Sequence, residues 1–152
     1  MTAWSARLVE LGLTLPPVAA PLAAYVPAVR SGAQVFTSGQ LPLVDGKLLA
    51  TGKVGGQVSA EQGKELARTC ALNALAAVHA LVGIDSVVRV VKVVGFVASA
   101  EGFTGQPGVV NGASELLGEV FGEAGVHARS AVGVAELPLG SPVEVELVVE
   151  VR

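Results

Sequence analysis

From Val143 to Val151 the chain alternates without a break, with Val143, Val145, Leu147, Val149 and Val151 on one parity and Glu144, Glu146, Val148 and Glu150 on the other. Successive side chains of a strand point to opposite faces of its sheet, so this segment predicts a strand with one wholly apolar face and three carboxylates on the other. An apolar strand face must be covered by a second layer, and the rest of the chain has to supply it.

Two segments read as that cover. Ser59 followed by Gln62 is a capping-box signature, and Leu66, Cys70, Asn73, Ala74, Ala77 and Leu81 then recur every three or four residues up to Gly83. Pro107 suits the first turn of a second helix, along which Val109, Ala113, Leu116, Leu117, Val120 and Phe121 form an apolar stripe ending at Gly122 or Gly125. The valine-dense run Val87–Val97, broken by Arg89 and Lys92, has the β-branched character of a central strand. Ala33–Ser38 predicts a short strand and Leu41–Ala50 a hairpin turned at Asp45-Gly46. Arg129–Glu136 predicts a partner strand for the last one, joined to it through Leu137–Pro142. Trp4, Leu8 and Leu11 fit a short amphipathic helix, and the proline-rich stretch Leu15–Pro27 an arm on the surface.

The 152 residues, 51% of them apolar, fill one core. The expectation is a single domain over 1–152 with 1–27 as an N-terminal extension and arm. It is a two-layer α+β unit, with a five- or six-stranded sheet, two long helices on one face and a short N-terminal helix. The other face then needs a cover of its own. Charged residues make up 15% of the chain, against about 25% in a typical soluble domain, which points to a second copy of the chain as that cover.

Composition also excludes function classes. A net charge of -3 with no adjacent basic pair gives no footprint for a phosphate backbone, so nucleic acid is not expected as a partner. The longest uncharged run, Leu11–Val29, contains Pro16, Pro17, Pro21 and Pro27, which no transmembrane helix would carry. Glu10 and the lack of an unbroken apolar centre argue against a secretory signal, and a cytoplasmic location is the expectation. Cys70 is the sole cysteine, suited to a buried structural role, and His79 and His127 are the sole histidines, so neither a disulfide nor a bound metal is expected. Phosphate-binding glycine loops, zinc-protease motifs and nucleophile elbows are absent from the sequence.

Arg129 opens a strand of small residues and shares its face with Ala131, Gly133 and Ala135. A planar guanidinium beside a shallow floor is a natural clamp for a carboxylate, through two parallel charge-assisted bonds. The plainer reading is an end-of-strand arginine that is solvated or paired with a carboxylate opposite. Glu144 and Glu146 equally suit the wet side of an amphipathic strand. In a simple hairpin centred near Leu139 and Gly140, Arg129 faces Glu150, and Glu144 lies about 20 Å away along the sheet. On that register the two could meet only across a subunit boundary. His127 reads either as an acid or base beside a cleft or as a loop histidine.

The stretches AYV at 24–26, FTSGQLP at 36–42, VGFV at 94–97, Val110-Asn111, ARSAVGVAELP at 128–138 and VEVE at 143–146 occur in the order and spacing of the RidA/YjgF family, which the chain resembles from Tyr25 to Arg152. The N-terminal extension, the run Gln106–Ser114 and His127 before the ARS motif resemble the family's longer branch. The resemblance implies a chorismate mutase-like fold, a homotrimer and clefts between subunits. It further implies hydrolysis of small 2-imino or 2-enamino acids to 2-keto acids and ammonia without cofactor or metal. On that basis Arg129 would bind the substrate carboxylate and Glu144 hold the attacking water, and the substrate-binding residues expected in the cleft are Tyr25, Ser38, Gly39, Asn111, Ala131 and His127. The sequence departs from the family at Ala131, where a cysteine is usual. Two alternatives accompany this reading: a non-catalytic trimer that binds small carboxylate metabolites, and an endoribonuclease, which the charge pattern does not favour.

Overall fold

The structure, a computed structural model, describes residues 3–152. Its elements in chain order are α1 (Trp4–Glu10), β1 (Ala28–Ser31), β2 (Gln34–Thr37), β3 (Leu43–Val44), β4 (Lys47–Leu48), α2 (Ala60–Val82), β5 (Val87–Ala98), α3 (Gln106–Phe121), β6 (Ala128–Val134) and β7 (Val143–Val151). Five strands form the main sheet in the order β1-β2-β7-β5-β6, and β3 and β4 form a separate hairpin. The alternating β7 occupies the middle of that sheet. Its five odd-numbered side chains are all buried, each contributing about 2 kcal/mol by leaving water.

Two long helices lie on one face. The predicted capping box is formed, with Ser59 accepting from the backbone N–H of Gln62 and the Gln62 side chain accepting from that of Ser59. Leu66, Cys70, Asn73, Ala74 and Ala77 are buried as expected, whereas Leu81 at the last turn is 45% exposed and Leu75 and Val78 are buried. Six apolar residues of α3 from Val109 to Phe121 anticipated as its stripe are all buried. The two helices touch closely at Gly112, where a Cβ would overlap the carbonyl oxygen of Lys64. α1 docks through Trp4, whose ring meets Phe121 edge-on at 5.1 Å and whose Nε1–H donates to the Val87 carbonyl. Asp45 and Gly46 both take positive φ, as the tight turn between β3 and β4 requires.

The expected hairpin between the last two strands does not form. β6 pairs in parallel with β5, and β7 pairs antiparallel with the other edge of β5. Residues 135–142, with a short helical turn at Pro138–Gly140, therefore carry the chain across the end of β5 rather than back on itself. The physical reason lies in β5: a long valine strand buried against the helices gains ladder bonds on both edges by lying between the two. Arg129 consequently stands level with Val93 and Leu147, and not opposite Glu150. β5 also carries two register shifts, between Val87 and Arg89 and between Val90 and Lys92. They bring Val87, Val90 and Val93 to the core face before normal alternation resumes at Gly95 and Val97. β1 was not anticipated; it follows the proline-rich arm directly and pairs with β2 as an edge strand.

Among the described residues, no helix lies on the opposite face of the sheet. Val29, Phe36, Val148, Lys92 and Ala128 form one row across it, and Glu144, Phe96 and Val132 another. Val29, Phe36 and Val132 are exposed on this face.

Candidate functional site

Pro107, Asn111 and Ser114 are spaced by four and three residues, so they share one stripe of α3, and that stripe runs beside the first residues of β6. Arg129 has the register of Val93, a core-face position, and so reaches toward α3. Its Nη1 donates to Asn111 Oδ1 at 2.7 Å and to Ser114 Oγ at 3.2 Å, and its Nη2 donates to the Pro107 carbonyl at 3.3 Å. The expected alternative of a paired arginine is not realised within the chain: all three partners are neutral, and no carboxylate among the described residues forms an ion pair with Arg129. A half-buried cation held by neutral acceptors leaves its charge available to an incoming anion, and a guanidinium fork matches a planar carboxylate or a phosphate through two parallel bonds. His127 extends this cluster, with Nε2 at 2.9 Å from Ser114 Oγ and Nδ1 at 2.6 Å from the Gly125 carbonyl.

A second group of the predicted residues gathers elsewhere. Ser38, the residue after β2, holds the arm: its hydroxyl donates to the Val26 carbonyl at 2.6 Å and its N–H to the Pro27 carbonyl at 2.8 Å. Tyr25 lies on the held segment, with its hydroxyl accepting from the Leu22 N–H at 3.1 Å. A shallow depression lined by Ala20, Leu22, Tyr25, Gly39, Leu41 and Leu43 opens here. Gly39 leaves the space in which the Glu144 carboxylate sits, since a Cβ there would overlap that carboxylate. Glu144 is half-buried, and loss of water, with Glu146 as a second and smaller cause, raises its carboxyl above the ordinary glutamate value.

One chain therefore brings together Asn111, His127 and Arg129, and separately Tyr25, Ser38, Gly39 and Glu144. Arg129 is level with Leu147, three residues from Glu144 and two strands across. At about 3.3 Å per residue and 4.8 Å per strand, their Cα atoms are about 14 Å apart. Their side chains also leave opposite faces of the sheet, because Glu144 has the register of Phe96, on the helix-free face. Ala131 faces the helices and packs against the core. Cys70 is fully buried on α2, its thiol directed to the Val143 carbonyl at 3.8 Å and pushed well up by burial, so it does not stand in for a thiol at position 131. Among the described residues, no group of three or more metal-ligating side chains occurs and no helix is long and apolar enough to cross a membrane.

The sequence reading gave no role to Ser114 or to the Pro107 carbonyl. Spacing alone carried a signal for them, since 107, 111 and 114 form one helical stripe that is separate from the apolar one.

The family described as "YjgF/chorismate mutase-like, putative endoribonuclease" matches residues 5–151. Protein TCP17 of Trypanosoma cruzi is 48% identical over 150 residues, spanning 97% of this chain and 94% of its own. The crystal structure of protein Atu1372 from Agrobacterium tumefaciens, 44% identical, superposes with a TM-score of 0.90 over 98% of this chain and 92% of that one. A more distant structure, E. coli TdcF with bound serine, is 25% identical, with a TM-score of 0.64 over 91% of this chain and 95% of its own. Sequence, fold and the match along nearly the whole length agree, and the chain belongs to the YjgF/chorismate mutase-like family.

Proposed function

We propose that this protein hydrolyses small 2-imino or 2-enamino acids to 2-keto acids and ammonia, in clefts between the subunits of a homotrimer. The observation that carries the reading is the guanidinium of Arg129, half-buried on three neutral acceptors with no ion pair to a carboxylate among the described residues. Arg129 grips the substrate carboxylate and fixes its orientation. Glu144, supplied by a neighbouring copy, takes a proton from water as the water oxygen attacks the electrophilic C2 of the protonated imine. Glu144 then returns that proton to the carbinolamine nitrogen and takes up the hydroxyl proton as the C–N bond breaks, the carbonyl forms and ammonia leaves. A carboxyl held above its ordinary value by burial is a stronger base than a solvated one, which suits the step. The reaction asks only for orientation, a placed water and one general base, so a site without a strong nucleophile is sufficient.

The helix-free face, with Val29, Phe36 and Val132 exposed, supports assembly with further copies. The serine bound in TdcF is a small carboxylate-bearing molecule of the size this reading requires. Endoribonuclease activity fits less well. The chain has 10 basic against 13 acidic residues, and Arg7, Lys53, Lys64 and Arg68 are already engaged with carboxylates. The test is ammonia release from 2-iminobutanoate generated in situ, for the parent, Arg129→Ala and Glu144→Ala. Release by the parent and its loss in both variants is expected. Binding of 2-oxobutanoate without ammonia release would instead support a non-catalytic carboxylate-binding trimer.

A further inference from the structure

We infer that Ser114 and His127 act as one positioning pair for Arg129, a hydrogen-bonded chain that runs from the Gly125 carbonyl to the guanidinium and fixes which of its donors face the ligand. With the imidazole ring neutral, the direction of every bond in the chain follows from its ends. The Gly125 carbonyl can only accept, so His127 Nδ1, 2.6 Å away, carries the ring proton of the neutral imidazole. Nε2 is then an acceptor and takes the hydroxyl proton of Ser114 at 2.9 Å. With its proton spent on the imidazole, Ser114 Oγ offers a lone pair to Arg129 Nη1 at 3.2 Å. The guanidinium in turn can only donate, so the chain has one consistent polarity from end to end.

The consequence is a sorting of the five donors of Arg129. Both hydrogens of Nη1 are taken, by Asn111 Oδ1 and Ser114 Oγ, and one of Nη2 by the Pro107 carbonyl. Nε–H and the second Nη2–H have no partner among the described residues, and two donors are what a bidentate carboxylate takes. Without Ser114 and His127, Nη1 would hang on Asn111 alone and the fork could swing. His127 is thus a positioning residue and does not itself touch the ligand, which refines the sequence expectation that placed it among the substrate-binding residues.

The inference deepens the reading of Arg129 as a carboxylate clamp and rests on it for the affinity measurement alone. Three variants separate the links. Ser114→Ala removes the bridge without disfavouring the helix. His127→Asn keeps a donor near the Nδ1 position for Gly125 but has no acceptor at the Nε2 position, and His127→Gln restores an acceptor there. Affinity for 2-oxobutanoate, measured by calorimetry on the full chain, is expected to fall about tenfold in Ser114→Ala and in His127→Asn, the size typical of a lost hydrogen bond to a charged group. The Ser114→Ala/His127→Asn double variant is expected to be no worse than either single, because both break one chain. His127→Gln is expected to recover most of the affinity. In parallel, nitrogen-15 spectra of the free protein should show His127 protonated on Nδ1, and slow-rotating Arg129 Nη1 protons that sharpen into the freely rotating set in Ser114→Ala.

Multiplicative losses in the double variant, unchanged affinity in Ser114→Ala, or a His127 ring protonated on Nε2 alone would each overturn the positioning pair. A parent that binds no 2-oxobutanoate would count against the proposed function, and the spectra would still decide the pair: loss of the hindered Arg129 signal in Ser114→Ala supports it, and persistence overturns it.

Discussion

Arg129 and Glu144 leave opposite faces of a single sheet, with β5 between the strands that carry them. About 14 Å of backbone separation and opposed directions keep them from closing on one small molecule within a chain. If both act on the same substrate, as proposed, each cleft takes its arginine from one copy and its glutamate from another.

Glu144 is held above the ordinary carboxyl value by burial and by Glu146. Its ionisation therefore costs folding stability: the cost is absent below the unfolded value of about 4.3, grows as pH rises to the folded value, and is constant above it. Glu144→Gln removes the charge while keeping the shape. The expected result is a Tm at pH 7 equal to or above that of the parent, a smaller difference at pH 4, and ammonia release lower by about 10²- to 10⁴-fold, the usual worth of a general base. Thermal melts at the two pH values and the ammonia assay check both parts.

Gly39→Ala places a methyl group where the Glu144 carboxylate sits. The obstructed atoms are the free end of a side chain, so the fold can yield there cheaply and the carboxylate is displaced instead. A stability loss of no more than about 1 kcal/mol is expected with a large drop in kcat. Urea unfolding beside steady-state ammonia release measures the two effects separately.

The helix-free face predicts its own failure mode. Phe36 and Val132 are 44% and 43% exposed in the single chain, and a charge at either would be buried without a partner if copies pack on this face. Phe36→Glu and Val132→Asp are expected to yield monomers by light scattering, with the far-UV circular dichroism of the parent retained. A variant that stays in the parent's assembly would move the interface elsewhere.

At the other end of the molecule, Ser5 donates both its N–H and its hydroxyl to Asp85 at 2.8 and 2.7 Å, and these bonds hold the Asp85 carboxyl below its ordinary value. A depressed carboxyl contributes stability above the unfolded value and loses it as pH falls through the folded one. The attachment of α1 should therefore weaken in acid and in Asp85→Ala. Trp4, the sole tryptophan, reports this directly: a red shift of its fluorescence is expected in both cases.

What the sequence disclosed followed from local rules. The capping box at Ser59, the tight turn at Asp45-Gly46 and the alternation of β7 are decided by neighbours within a few residues, and all three were readable. The place of β6 was not. Which edge of β5 it joins depends on how residues 135–142 route the chain and on two register shifts inside β5, and nothing in the run Val87–Val97 marks either shift. For the site, residue types and the family resemblance singled out Arg129, Asn111 and Glu144. That Ser38 holds the arm, that Ala131 faces the core, and that Ser114 bridges His127 to Arg129 needed three-dimensional placement.

Complementation between inactive chains tests the shared cleft most directly. Arg129→Ala and Glu144→Ala subunits, each expected to be inactive alone, are unfolded together, refolded as a mixture and assayed for ammonia release from 2-iminobutanoate. Clefts that take arginine from one copy and glutamate from the next predict that an equal mixture regains about a quarter of the parent's sites, because random closed assembly pairs two intact halves that often. A mixture as inactive as its two components, although co-assembly is demonstrated by mass, would contradict a site built between copies from Arg129 and Glu144.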